Sequence, residues 1–166
     1  MAPPSASQPD AVLEIDKERL GFAAAHFSIL EGGSERIHGH NYRVALRARG
    51  TVRPDGTVVD FAALKAAVRA ECEALDHRML LPGSSPAVRV DTEQDGHVAV
   101  REGSRRFLFP AGEVRVLPVP NTTCECLAGY VLSRVRARLG ELPVRLEVTV
   151  EESPGQGATV AEPAGT

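Results

Sequence analysis

No stretch of the 166 residues approaches the ~18 consecutive apolar positions that a membrane-spanning helix needs. The first ten, Met1 to Asp10, have neither the charged start nor the apolar centre of a secretory signal. They are expected to form a disordered lead, and residues 162–166 a disordered tail, leaving one domain over residues 11–161. Positive charge is not in surplus either. Nineteen Lys and Arg face 22 Asp and Glu, a net charge of −3, which argues against nucleic acid or an anionic membrane as partner. The arginines cluster only between Arg43 and Arg49 and between Arg134 and Arg138, as solvated faces of a strand and a helix. Cysteine is scarce: Cys72, Cys124 and Cys126 make an odd set without framework spacing, so a disulfide scaffold is excluded and a reducing cytoplasm is the expected compartment. Cys124-x-Cys126 lacks the Cys-x-x-Cys spacing of a redox or metal pair, so these cysteines read as structural residues on helices. No internal repeat breaks the chain into units.

What is present alternates between strand and helix signals. From Asn41 to Val52, Val44, Leu46 and Ala48 face one way and Arg43, Arg47 and Arg49 the other, the period of a half-buried strand. Pro54-Asp-Gly56 makes a turn, and Asp60 caps a helix with Phe61, Leu64, Val68, Cys72 and Leu75 on one face. This helix ends near Leu75-Asp-His-Arg78. Between about 86 and 117 the chain becomes β-rich, with Val88–Val90 and His97–Val100 flanking the turn Gln94-Asp-Gly96, then short strands at Arg105–Phe109 and Glu113–Leu117. Thr122 and Glu125 have capping-box spacing for a second helix carrying Leu127, Val131, Val135 and Leu139. Ser153–Gly157 reads as a loop between a closing strand at Val144–Glu151 and a final short strand at Ala158–Ala161. This order implies an α+β fold, an antiparallel sheet with helices packed on one face.

His38-Gly39-His40 carries the strongest chemical signal. Residues two apart in an extended segment share a face, so both imidazoles can reach one ion. His26, on the preceding strand, supplies a third, and three imidazoles with one open position make a catalytic zinc arrangement. From spacing alone, a metal site and ordinary hydrogen-bonded histidines stand level.

The sequence resembles a known family more specifically. Phe22-x-x-Ala-His26, His38-Gly-His-Asn-Tyr42, Gly56-x-Val-x-Asp-Phe61, Leu75-Asp-His77, Thr123-x-Glu125 and Val148-x-Val-x-Glu-Ser153 occur in the order seen in 6-pyruvoyl-tetrahydropterin synthases and 6-carboxytetrahydropterin synthases. The match spans about Phe22 to Glu152 and leaves the excursion at 86–117 uncovered. It implies the tunnelling fold, Zn2+ held by His26, His38 and His40, and a small dihydropterin substrate. It further implies proton transfer by Asp76 and His77, and a pterin pocket of Thr123, Glu125 and Glu152. Glu152 grips the pyrimidine edge and Glu125 reads equally as a helix cap. Assembly into trimers or hexamers is implied too.

One departure bears on the reaction. The cysteine usual a few residues before His-Gly-His is missing from Glu31-Gly-Gly-Ser-Glu-Arg-Ile-His38. Glu35 matches the glutamate of members that lack it, with Ser34 a weaker candidate for the base. Those members resemble dihydroneopterin aldolases. The leading expectation is therefore a zinc lyase cleaving dihydroneopterin or its triphosphate to 6-hydroxymethyl-dihydropterin. The alternatives are 6-carboxytetrahydropterin synthesis, on the route to queuosine, 6-pyruvoyl-tetrahydropterin synthesis, and a pterin- or metal-binding module without catalysis.

Overall fold

The computed structural model describes residues 8–31, 33–93 and 95–164, without the side chains of residues 17–19. In chain order the elements are β1 (Asp10–His26), β2 (Ile29–Leu30), β3 (Gly33–Ser34), β4 (His38–Thr51), α1 (Phe61–Leu75), β5 (Arg78–Pro82), β6 (Arg89–Thr92), β7 (His97–Glu102), β8 (Arg105–Pro110), a 3-10 turn (Ala111–Glu113), β9 (Val114–Leu117), α2 (Cys124–Leu139), β10 (Arg145–Ser153) and β11 (Gln156–Ala161). Six strands form the main sheet in the order β11-β10-β4-β1-β5-β9. The four from β11 to β1 pair antiparallel, as the alternation implies. The β1–β5 and β5–β9 pairs are parallel, so the sheet is mixed. β5 escapes a period-2 reading because Met79, Leu80, Leu81 and Pro82 are all buried, as in a strand covered on both faces.

Both helices pack on one face of this sheet. Leu64, Val68, Leu75, Leu127, Val131 and Val135 meet Val44, Leu46, Ala48, Leu146, Val148 and Val150 in one core. Truncating a fully buried member such as Leu46 to alanine costs about 2–5 kcal/mol. Asp60 caps α1 as its position implies, accepting from Ala62 N at 2.8 Å. Glu71 on α1 is 1% exposed yet satisfied, paired with Arg134 at 3.4 Å and with Arg138, both on α2. The arginines at 134 and 138 thus staple two helices together rather than lying free in solvent.

The excursion is a separate three-stranded antiparallel sheet, β6-β7-β8, and only its last strand, β9, returns to the main sheet. The turn expected at Gln94-Asp-Gly96 joins β6 and β7, with Gln94 itself outside the described residues. Val88, Val98 and Val100 bury against Phe27, Met79 and Leu81, with Phe107 and Phe109 beside them. Met79 and Leu81 alternate with Leu80, which enters the helix-side core, so the excursion covers the opposite face of the main sheet.

Two local expectations are corrected. The capping box at Thr122 and Glu125 is absent: α2 starts one residue later with Thr123 at its cap, and Thr123 makes no side-chain capping bond among the described residues. Thr122 is drawn away because its hydroxyl donates to Phe27 O at 2.6 Å. The loop at Ser153–Gly157 shrinks to a tight turn, since β10 runs to Ser153, β11 starts at Gln156, and Gly155 adopts a φ of 81°. The expected lead lies mostly outside the described residues, although Asp10 already pairs with Thr51. Within the expected tail, Glu162 holds Arg136 at 2.6 Å and accepts from Leu146 N at 2.9 Å.

Candidate metal and pterin site

Strand register builds the site. On β4, Tyr42, Val44, Leu46 and Ala48 point into the helix-side core, so His40 and His38 continue that row past its edge. On β1 an irregularity between Asp16 and Gly21 switches the parity. Ile15 faces the core before it, and Phe22, Ala24 and His26 face the core after it. His26 then pairs directly with His38, and Ala24 with His40, across the same ladder. Gly39 lets the two strands approach closely here, since a Cβ would stand 3.1 Å from Ala24 O.

The ligand atoms of His26, His38 and His40 lie within 4.8 Å of one another, the metal-capable cluster among the described residues. Backbone carbonyls set the tautomers. His26 Nδ1–H donates to Thr122 O at 3.0 Å and His38 Nδ1–H to Arg36 O at 2.8 Å. Each ring thereby turns an unprotonated Nε2 toward the other, 3.1 Å away. Two lone pairs at that distance repel unless a cation draws both. The spacing also matches the ~3.3 Å edge of a tetrahedron with Zn–N bonds of ~2.0–2.1 Å. Burial holds His26 below the ordinary histidine range, which favours the neutral ring a metal needs. The donor set therefore fits one borderline-soft divalent ion with a position left open.

Around these rings lies a cleft of about 340 Å³ lined by Ser28, Leu30, Glu35, Thr123, Cys124, Glu125, Glu152 and Gln156. Glu35 enters from the segment between β3 and β4. Its N–H donates to Ser28 O at 2.9 Å, and its carboxylate accepts from Ser28 N at 3.3 Å. Glu152 sits where β10 and β11 slip register between Glu151 and Ser153. It is the next member of the row Leu146, Val148, Val150, with Oε2 4.0 Å from His40 Nε2. Cys124 Sγ donates to the same oxygen at 3.5 Å, and burial pushes its thiol up to about 12, so it stays a donor rather than a thiolate. Glu125 lies in the first turn of α2, its carboxyl held below the usual range by its own backbone N–H and by Thr123.

Asp76 and His77 are elsewhere. They follow α1, and His77 opens on a different groove of about 630 Å³ that it lines with Ala23, Ala24, Ala25, Gly39, Asn41, Arg78, Met79 and Glu113, and that shares His40 with the metal cleft. The pair is nonetheless built. Asp76 Oδ1 accepts from Ala23 N at 2.7 Å, which lowers its pKa, and Oδ2 accepts from His77 Nδ1–H at 2.8 Å. His77 holds a φ of 54°, a conformation its backbone N–H secures with a 2.6 Å bond to Ala23 O. Its Nε2 is left facing solvent, on a side chain 83% exposed.

Several residues that shape the cleft were not singled out from sequence. Thr122 bonds His26 and Phe27 together, and Asn121 brackets Ile29 with Nδ2 to its carbonyl at 2.8 Å and Oδ1 from its N–H at 2.9 Å. These two residues latch the chain after His26 to the start of α2. Tyr42 is 3% exposed and its hydroxyl has no partner among the described residues, although its ring stands 5.8 Å from His26 and 5.5 Å from His40. The polar run Asn121-Thr-Thr123 ahead of an apolar helix was the only signal for the latch.

The model of the family described as 6-pyruvoyl tetrahydropterin synthase matches residues 14–163. A Methanocaldococcus jannaschii protein with the provisional name 6-carboxy-5,6,7,8-tetrahydropterin synthase is 32% identical over 144 residues, covering 84% of this chain and 88% of its own. A Pyrococcus horikoshii protein of the same provisional name is 30% identical, covering 87% and 90%. The crystal structure of 6-pyruvoyl tetrahydropterin synthase from Plasmodium vivax superposes with a TM-score of 0.87 at 33% identity, covering 93% of this chain and 98% of that one. Structures of the P. vivax protein with a catalytic glutamate replaced by alanine or by cysteine superpose equally well.

Proposed function

The chain belongs to the 6-pyruvoyl tetrahydropterin synthase family, and on that premise we propose that it is a zinc-dependent lyase acting on the side chain of 7,8-dihydroneopterin triphosphate, giving a 6-carboxy- or 6-pyruvoyl-tetrahydropterin. The observation that carries the proposal is convergence: three histidine donors, Glu35 and Glu152 line one cleft. The names of the relatives favour a tetrahydropterin product over the aldol cleavage that heads the sequence reading. The P. vivax protein shows that a glutamate in the catalytic role occurs in a protein called a synthase.

In this reading His26, His38 and His40 hold Zn2+, which as a Lewis acid polarises the substrate's side-chain hydroxyls. Glu152 anchors the pterin edge, its two oxygens accepting from a ring N–H and the exocyclic amine. The thiol of Cys124 fixes one of those oxygens from behind. Glu35 takes the proton from C1′. The electron pair of that C–H bond moves into the ring system, which is protonated as C1′ becomes a carbonyl. Loss of the C2′ proton then expels triphosphate from C3′. All three side-chain carbons stay in the pyruvoyl product, whereas the carboxy product forms when water adds at C1′, and C2′ and C3′ leave as acetaldehyde. His77, oriented by Asp76, returns a proton to the substrate. It reaches the substrate from a second copy of the chain, because within one copy it lines a groove that shares only His40 with the metal cleft. The open edge strands β9 and β11 suit a head-to-tail ring, trimeric or a paired hexamer. A reducing cytoplasm suits the three free cysteines.

One observation favours a second reading. The cleft contains a carboxylate, and no cysteine lies in the segment before His38. A base placed to take a side-chain hydroxyl proton would break the C1′–C2′ bond in retro-aldol fashion and release 6-hydroxymethyl-dihydropterin. Chromatography of products from 7,8-dihydroneopterin triphosphate separates the two. A tetrahydropterin with free triphosphate supports the synthase reading, and 6-hydroxymethyl-dihydropterin with a phosphorylated two-carbon aldehyde contradicts it.

A further inference from the structure

The segment carrying Glu35 has little apolar anchorage. Leu30 is 57% exposed and Ile37 38% exposed, and Glu35 itself lies open to solvent. A carboxylate on such a loop would sample many positions, whereas proton transfer needs it held within a fraction of an ångström. What holds it comes from the excursion.

The β7–β8 turn reaches across to the residue before Glu35 and takes every polar group that residue has. Glu102 Oε1 accepts from Ser34 N at 2.7 Å and Oε2 from Ser34 Oγ at 2.5 Å. Arg105 donates to Ser34 Oγ at 2.8 Å and to Ser34 O at 3.2 Å, and closes the ring with Glu102 Oε2 at 2.9 Å. Arg105 lies in turn over the Phe107 ring, 5.1 Å from its centroid, which ties the clamp to the excursion's own core. The approach needs Gly33. Its φ is +121°, and a Cβ there would stand 2.9 Å from Glu102 Oε1. On its far side Glu35 is fixed by its bond to Ser28 O. The base is thus stretched between the end of β1 and a sheet that contributes no group to the cleft.

We propose that Glu102 and Arg105 are positioning residues that hold Glu35 at the reacting carbon through Ser34, and that this is what the excursion does for the reaction. The inference rests on Glu35 being the base. Metal binding and pterin binding do not pass through the clamp, so its loss should separate kcat from the other quantities.

The test uses zinc-loaded protein with 7,8-dihydroneopterin triphosphate. Glu102→Ala should lower kcat by roughly 10- to 100-fold, the usual effect of a misplaced group, with KM and zinc content within about two-fold of wild type. Glu102→Gln keeps an acceptor for Ser34 N and should recover much of the loss. Arg105→Gln, on an exposed side chain that threatens folding less, should cost several-fold in kcat. In a Glu35→Ala background neither change should cost anything further, because there is no base left to place. Glu102→Ala and Arg105→Gln at wild-type kcat would overturn the clamp while leaving the base intact. A loss equally large in the Glu35→Ala background would reduce it to a structural contact. Full turnover by Glu35→Ala alone would overturn both the base and the clamp.

Discussion

Two histidine-bearing grooves lie within one sheet's width of each other and are built on opposite plans. In the first, His26 is buried and His38 pinned, each with one ring nitrogen on a backbone carbonyl and the other turned inward, so the donors are complete within one chain. In the second, His77 is exposed, strained in φ and its ring oriented by Asp76, with no hydrogen-bond partner for Nε2 among the described residues. Folding of one chain brings the three histidines together. In the proposed mechanism His77 is an acid that meets a bound substrate, so it can stay on the surface for a neighbouring copy to bring the substrate to it.

The hardest test of this contrast is to remove one groove at a time. His38→Ala leaves two donors, too few for a tight zinc site, so zinc should fall from about one per chain to a small fraction and turnover should fall to background. His77→Ala should keep its zinc. Elemental analysis of the two variants decides this, and zinc loss in His77→Ala would merge grooves that the contrast keeps apart.

Glu35→Ala comes next, with an expected loss of roughly 10²–10⁴ in turnover and no loss of zinc. His77→Ala should sit at the low end of that range, about 10². Its sharper use is in combination. When His38→Ala and His77→Ala proteins are dissociated and reassembled together, random pairing makes about a quarter of the sites intact, and activity should return toward that fraction. A mixture as inactive as its components would place His77 outside the reaction or inside its own chain's cleft.

The smallest effect belongs to the pterin anchor. Glu152→Gln keeps the shape but loses the charge, and should weaken pterin binding by ~1.5–3 kcal/mol at unchanged zinc content. Calorimetric titration with a non-reacting pterin measures it. Unaltered affinity would move the anchor to Glu151 or Glu125.

The two grooves also differ in how far the sequence reveals them. His38, His40 and Glu152 are legible because each extends an alternating row whose inner members are plainly apolar. Tyr42 and Val44 lead back to the histidines, and Val148 and Val150 lead on to Glu152. His26 was placed on its strand by motif. The parity switch between Asp16 and Gly21 that turns it inward leaves no periodic trace. β5 was missed because a strand buried on both faces does not alternate. The capping box failed because Thr122 has a better use for its hydroxyl than α2 offers, a choice that depends on a residue 95 positions away. The separation of Asp76 and His77 from the histidines is likewise a matter of which side of β1 the chain returns on, and short motifs do not encode that. The reaction itself was the least legible part. One missing cysteine pointed to aldol cleavage, while relatives over most of the chain carry synthase names.

The most direct measurement is the metal dependence of turnover. Protein stripped by a chelator should leave 7,8-dihydroneopterin triphosphate unchanged, and about one equivalent of zinc per chain should restore its conversion. In a His26→Ala, His38→Ala, His40→Ala triple variant, added zinc should restore nothing. Full turnover by the stripped protein, or by the triple variant, would contradict the claim that these three histidines hold the metal on which the chemistry depends.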